Sequence, residues 1–147
     1  MTWEKELIPN EDRIYCFVHK ANVDYKNGGK PRAAAFQNTP RDGSNLSSDW
    51  SKYSTPEETK NRIGKQFKAN SQNFKNPNDY GVLQFEVGFL RQEELRQEIE
   101  HDPIFNPMEL DGIPNNQSHT IIIGEKDEET RLKMKEMSVW VIEAPPQ

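Results

Sequence analysis

Three histidines, one cysteine and a short hydroxyl–carboxylate run are the groups of this chain best suited to chemistry near neutral pH: His19, His101, His119, Cys16 and Ser47-Ser48-Asp49. An imidazole titrates close to physiological pH and can serve as acid, base or metal ligand. A carboxylate beside hydroxyls can act as a general base. His101 and His119 stand at the edges of two expected strands, joined by a loop rich in Pro, Asn and carboxylates. Loops on a rigid scaffold commonly carry chemistry. Zinc would need a third ligand, with Asp102, Glu100 or His19 as the options, and no HExxH or similarly short spacing is present. No metal and no cofactor is therefore expected. Cys16 sits in the apolar run Ile14-Tyr15-Cys16-Phe17-Val18, which suits a buried structural thiol better than a nucleophile.

Known catalytic patterns fit poorly. Two-histidine phosphoesterases carry two His-x-Ser/Thr motifs, and His101-Asp102-Pro103 and His119-Thr120-Ile121 both miss that pattern. Gly28-Gly29-Lys30 lacks the rest of a phosphate-binding loop. ADP-ribosyltransferases order an Arg or His on an early strand, a Ser or Thr on a middle strand and a later Glu. Arg13 or His19, Ser47 and Glu86 follow that order without the flanking residues that make those motifs specific. An enzyme would draw on His19, Asp49, His101 and His119, and at least three of them would have to share one cleft to reach a common reacting atom.

Charge and composition suggest a different use. The chain carries −5 overall, but residues 1–80 carry +3 and residues 81–147 carry −8. Bases and aromatics interleave between Tyr25 and Lys75. Lys26, Lys30, Arg32, Trp50, Tyr53, Arg62 and Lys65 are the binding candidates there, because single-stranded nucleic acid is held by phosphate pairing and base stacking. A solvated basic surface over core aromatics accounts for the same pattern, and an acidic chain is a poor non-specific DNA binder. The hydrophobic fraction of 33% implies long polar loops around a small core, while 10% aromatics argues for folding. No apolar run approaches a membrane span, and Met1-Thr2-Trp3-Glu4-Lys5-Glu6 is no signal peptide. The expected setting is cytoplasmic.

The elements that must position these groups read as one α+β domain over residues 1–147. It has a lead-in at 1–12, a tail at 143–147, and a mainly antiparallel sheet of about five strands with two helices and long polar loops. Strands are expected at Arg13 to His19, Tyr80 to Leu90, a short stretch ending near His101, His119 to Ile123 and Ser138 to Ile142. Thr55-Pro56-Glu57-Glu58 is a capping box that starts a helix running to about Phe67, weakened by Gly64. Asp127 to Met137 is the second helix, acidic early and basic late, as the helix dipole favours. Tyr25 to Arg32, Gln37 to Ser44 and Asn70 to Asp79 are turns or loops. Ser47-Ser48-Asp49-Trp50 reads as a polar chain reversal with Trp50 as a core plug.

Several local motifs recur together in another context: Tyr15, Ala35-Phe36, Leu46-Ser47-x-Asp49, Thr55-Pro56-Glu57-Glu58-Thr59, Gly81-Val82, His101-Asp102-Pro103, Asn116-x-x-His119 and Gly124-x-Lys126. On these the chain resembles, over about Arg13 to Ile142, a widespread group of small bacterial proteins of uncharacterised activity. Members turn up among mobile and antiviral-defence genes, including CRISPR-associated ones. The resemblance implies an accessory role and assigns no catalytic residue. Long insertions at 68–79 and 104–115 would suit a specific partner. The leading expectation is a non-catalytic accessory or protein-binding module. The alternatives are an enzyme acting on a nucleotide, NAD or RNA, and single-stranded nucleic-acid binding.

Overall fold

Alternating burial along Arg13–His19 makes this segment the first strand, β1: Ile14, Cys16 and Val18 turn to the core, while Tyr15, Phe17 and His19 lie half-buried on the opposite face. The structure, a computed structural model, describes residues 2–39, 45–68 and 73–146. After β1 come a small hairpin of β2 (Val23–Asp24) and β3 (Lys30–Pro31), strand β4 (Leu46–Trp50), helix α1 (Pro56–Ile63) and strand β5 (Tyr80–Glu86). A single helical turn α2 (Val87–Leu90), strands β6 (Glu98–His101) and β7 (His119–Ile123), helix α3 (Glu128–Met137) and strand β8 (Val139–Ile142) complete the order. The main sheet runs β6-β7-β4-β1-β5-β8, and every pairing in it is antiparallel.

Among the described residues the fold is thus α+β with a mainly antiparallel sheet, built on six strands rather than five and three helices rather than two. The additional strand is β4, whose polar Ser-Ser-Asp run reads as a reversal but pairs on both edges. The additional helix is α2. The expected strand to Leu90 stops at Glu86: Val87 N still meets Asp12 O (3.0 Å), but the chain then closes a helical turn, with Arg91 N on Val87 O (3.2 Å). Helix α1 ends at Ile63 rather than Phe67. Past Gly64 the chain tightens into three-residue turns, with Lys65 N on Arg62 O and Gln66 N on Ile63 O. The expected Asp42-Gly43 turn and the Asn70 start of the later loop lie outside the described residues.

One face of the sheet carries the core: Ile14, Cys16, Val18, Trp50, Leu83, Phe85, Ile99 and Ile122, closed by Phe36 and by Met134 of α3. Phe36 meets Phe85 edge-on at 5.6 Å. On the other face α1 crosses β1, β5 and β8 and buries Thr59 and Ile63. The stretch of that face toward β4 and β7 holds the polar groups described next. No helix among the described residues is long and apolar enough to cross a membrane.

Candidate functional site

β1 and β4 pair only through Ile14 with Trp50 and Tyr15 with Asp49. The next partners in register to exchange backbone hydrogen bonds would be Phe17 and Ser47, and before them the strands part. A cleft of about 1140 Å³ fills the opening, slightly above the usual range of small-molecule sites (~300–1000 Å³). Residues 15–19 form one wall and residues 45–49 the other; residues 34–39, Arg62, Asp102, Asn116 and His119 are among the rest of the lining. Lys126 fixes the 34–39 segment to the end of β7, donating to Asn38 Oδ1 (2.5 Å), Ile122 O (2.9 Å) and Gly124 O (3.0 Å). Burial pulls its ammonium pKa down to about 8.

Strand pairing then sets the chemistry. β4 and β7 align Asp49 with His119 and Ser47 with Ile121, so Ser47, Asp49 and His119 share the cleft face. Ser47 Oγ lies 3.0 Å from His119 Nε2. His119 Nδ1 lies 2.8 Å from the Asp102 carbonyl and 3.5 Å from Asp102 Oδ2. A carbonyl only accepts, so Nδ1 carries the proton and, in the neutral ring, Nε2 is free to accept from Ser47. Burial pulls the His119 pKa down, but the hydrogen bonds that its ring donates to Asp102 and the charges of Asp49 and Asp102 outweigh it, leaving a net rise. The reciprocal bond to His119 lowers the Asp102 pKa. Hydroxyl, imidazole and carboxylate thus follow one another along a single chain of polar contacts.

Asp49 has a different role from that expected of a general base. Asn116 Nδ2 donates to its Oδ1 (2.7 Å) and Arg62 Nη2 to its Oδ2 (3.0 Å). The same Arg62 nitrogen reaches Ser118 Oγ at 3.1 Å and also bonds Ser54 Oγ. Ser118 in turn donates to Asn116 Oδ1 through its N–H at 3.0 Å and its hydroxyl at 2.5 Å. Both carboxylate oxygens are committed, which makes Asp49 a clamp joining α1, β4 and the loop before β7. The capping box of α1 aims Arg62: Thr55 Oγ1 accepts from Glu58 N and Glu58 Oε1 from Thr55 N, both at 3.1 Å.

Of the four candidate residues, His19, Asp49 and His119 line the cleft and His101 does not. His101 is buried on the core face, edge-on to Trp50 at 5.1 Å. Its Nδ1 accepts from Glu6 N (3.1 Å) and its Nε2 donates to Gln117 O (2.7 Å), so both nitrogens are occupied in holding the chain. His19 Nδ1 accepts from Ala21 N, and its ring meets Tyr80 at 5.0 Å. Burial, with the Asp49 charge adding to it, pushes the Cys16 thiol up to about 12. No group of three or more His, Cys, Asp or Glu side chains is placed to hold a metal ion among the described residues. The trio Arg13 or His19, Ser47 and Glu86 is not gathered. Glu86 is exposed and pairs with Arg13, at the end of β1 opposite His19.

The basic and aromatic binding candidates do not form one surface. Trp50 is 1% exposed and its Nε1 donates to Asp12 (2.8 Å), so its ring cannot stack on a base. Tyr53 is half-buried against Trp50 and His101, with its hydroxyl bonded to Glu6. Arg62 is committed to Asp49, and Lys65 pairs with Glu109 at 3.0 Å. Lys26, Lys30 and Arg32 are exposed around the β2–β3 hairpin, outside the cleft lining. Sequence reasoning missed Asn116, Ser118, Tyr15 and Phe17. The available signal was alternation: had Leu46–Trp50 been read as a strand, Ser47 and Asp49 would fall on one face. No protein-family model, no curated protein and no solved structure matches the chain.

Proposed function

We propose that the protein is an enzyme of the serine-nucleophile kind, acting on a ligand seated between β1 and β4. The observation that supports this is the chain Ser47–His119–Asp102 on the wall of a cleft with room for a ligand of nucleotide size. As Ser47 Oγ attacks an electrophilic centre, its proton passes to His119 Nε2. The resulting imidazolium is held by Asp102 and returns the proton to the leaving group; water or another acceptor then releases the group from Ser47. Asp49 and Arg62 act as positioning residues that fix β4.

A fluorophosphonate probe tests this on the purified protein. Expected is a covalent adduct at Ser47 by mass spectrometry, lost in Ser47→Ala and reduced about 100-fold or more in rate in His119→Ala. An adduct that forms equally fast without His119, or none at Ser47, refutes the assignment.

A second reading has its own support. Phe105, Met108, Leu110 and Ile113 are all exposed within the 104–115 loop, and clustered exposed apolar side chains mark docking surfaces. They favour an accessory, protein-binding role. Pull-down with the products of neighbouring genes should recover a partner that Met108→Glu/Leu110→Glu loses; unchanged or absent capture rejects it.

A further inference from the structure

The open strand edges of the cleft point to the class of ligand it takes. In an antiparallel pair, backbone groups alternate between the two edges of a strand. Trp50 N donates to Ser118 O at 2.8 Å, which fixes the phase of β4: Ser48 and Leu46 face β7, while Asp49 and Ser47 face β1. Val87 N on Asp12 O and Ser51 N on Arg13 O fix β1 in the same way: Ile14, Cys16 and Val18 face β5, while Tyr15 and Phe17 face β4. Tyr15 and Asp49 meet, but Phe17 and Ser47 do not. The N–H and C=O of both residues therefore point into the cleft, beyond the last β1–β4 pair.

Backbone groups of half-buried strand residues that leave the ladder still need partners, so such a gap suits a ligand that supplies a donor beside an acceptor. The open edge is too short for an extended peptide, because the isolated Thr39–Asn45 bridge closes β4's approach two residues before Ser47. Aromatic side chains flank the gap. Phe17 meets Tyr80 edge-on at 5.6 Å, and Tyr15 also lines the cleft. Flat rings pack on such surfaces.

We infer that the split between β1 and β4 binds a planar ring by an amide edge, as found in a nucleobase or an aromatic carboxamide, through the backbone of Phe17 and Ser47. This rests on the cleft being the reaction site and deepens that reading by naming its ligand. It does not depend on Ser47 being a nucleophile, because only the Ser47 backbone is used.

The test is binding to the full chain and to Ser47→Ala, followed by calorimetry and by ¹⁵N chemical shifts, with adenine, uracil and nicotinamide as probes. N,N-dimethylbenzamide and benzoate, which lack the donor, are the controls. At least one amide-edged ring should bind both proteins and move the Phe17 and residue-47 amide signals, and blocking the donor should weaken binding about tenfold or more. Nucleobases binding without nicotinamide would assign the site to a base, and the reverse to a carboxamide. Equal binding of the controls, shifts confined to other residues, or no binding by any probe would overturn the inference. Binding that persists in Ser47→Ala while the fluorophosphonate adduct fails would retain this inference and reject the nucleophile.

Discussion

Replacing Arg62 with Met tests whether the cleft wall is held as described. The side chains of Asp49 and Arg62 are 10% and 16% exposed, so the pair is largely out of water. Met keeps the aliphatic stem and removes the donor from Asp49 Oδ2, Ser54 and Ser118. Breaking a buried ion pair from one side costs ~3–5 kcal/mol, because the remaining charge stays buried without its partner. Part of this is offset. Arg62 Nε is buried without a partner, an arrangement that itself costs ~1 kcal/mol or more and disappears with the guanidinium. The expected net loss is about 2–4 kcal/mol, a large share of the ~5–15 kcal/mol that holds a domain together. At ~2–4 °C per kcal/mol for a chain of this size, the melting temperature should fall by roughly 10 °C. Urea unfolding followed by circular dichroism measures it. The double variant Asp49→Asn/Arg62→Met removes the orphaned charge and should recover at least ~1 kcal/mol relative to additivity. A single-variant loss below about 0.5 kcal/mol, or strict additivity in the cycle, would mean that Asp49 is solvated and clamps nothing.

The pH dependence follows from the same face of the sheet. His119 has a raised pKa in the folded state, so its contribution to stability is fully present below the ordinary imidazole value of 6.5 and is lost as pH rises through the folded value. Modification of Ser47 needs the neutral base, so its rate should climb through a pH above 6.5, and Asp102→Asn should bring that midpoint back down by a modest amount, since Asp102 is 42% exposed; a midpoint indifferent to Asp102 would dissociate the two. Gly81→Ala should destabilise by ~1–3 kcal/mol, because its Cβ would lie 2.5 Å from Ala144 N and 2.8 Å from Ile142 O, backbone atoms that cannot rotate away. Urea midpoints unchanged by that substitution would place β8 farther from β5 than described.

Much of the scaffold was legible because it rests on periodicity and local capping. The Arg13–His19 strand has the bounds that alternation sets, and α1 begins at Pro56 behind a capping box whose two reciprocal bonds are both formed. The Asp127 cap of α3 is likewise local: its side chain accepts from Thr130 N. What was hidden depends on tertiary pairing. Leu46–Trp50 has the composition of a turn and becomes a strand because β1 and β7 supply partners on either edge. His101 and His119 lie near one another in the sheet but on opposite faces: His101 pairs with Thr120, one residue along from His119, and a shift of one residue reverses the face. Both brace the intervening loop, His101 through Gln117 O and His119 through Asp102 O. Only His119 also meets a hydroxyl in the cleft.

That difference explains why a motif search passes over this site. Side chains that meet on one helix or in one loop leave a fixed spacing in the sequence, whereas Ser47 and His119 are separated by 72 residues and meet because β4 and β7 are adjacent strands. The ligand contacts inferred for Phe17 and Ser47 leave even less trace, since backbone N–H and C=O groups are common to most residue types. What makes those groups accessible is the failure of β1 and β4 to continue pairing past Tyr15 and Asp49. The clamp on Asp49 lies at the last paired position, directly before the gap. Arg62 and Asn116 therefore secure the point from which the strands diverge, and weakening them should alter the cleft before it disturbs the Ile14–Trp50 core.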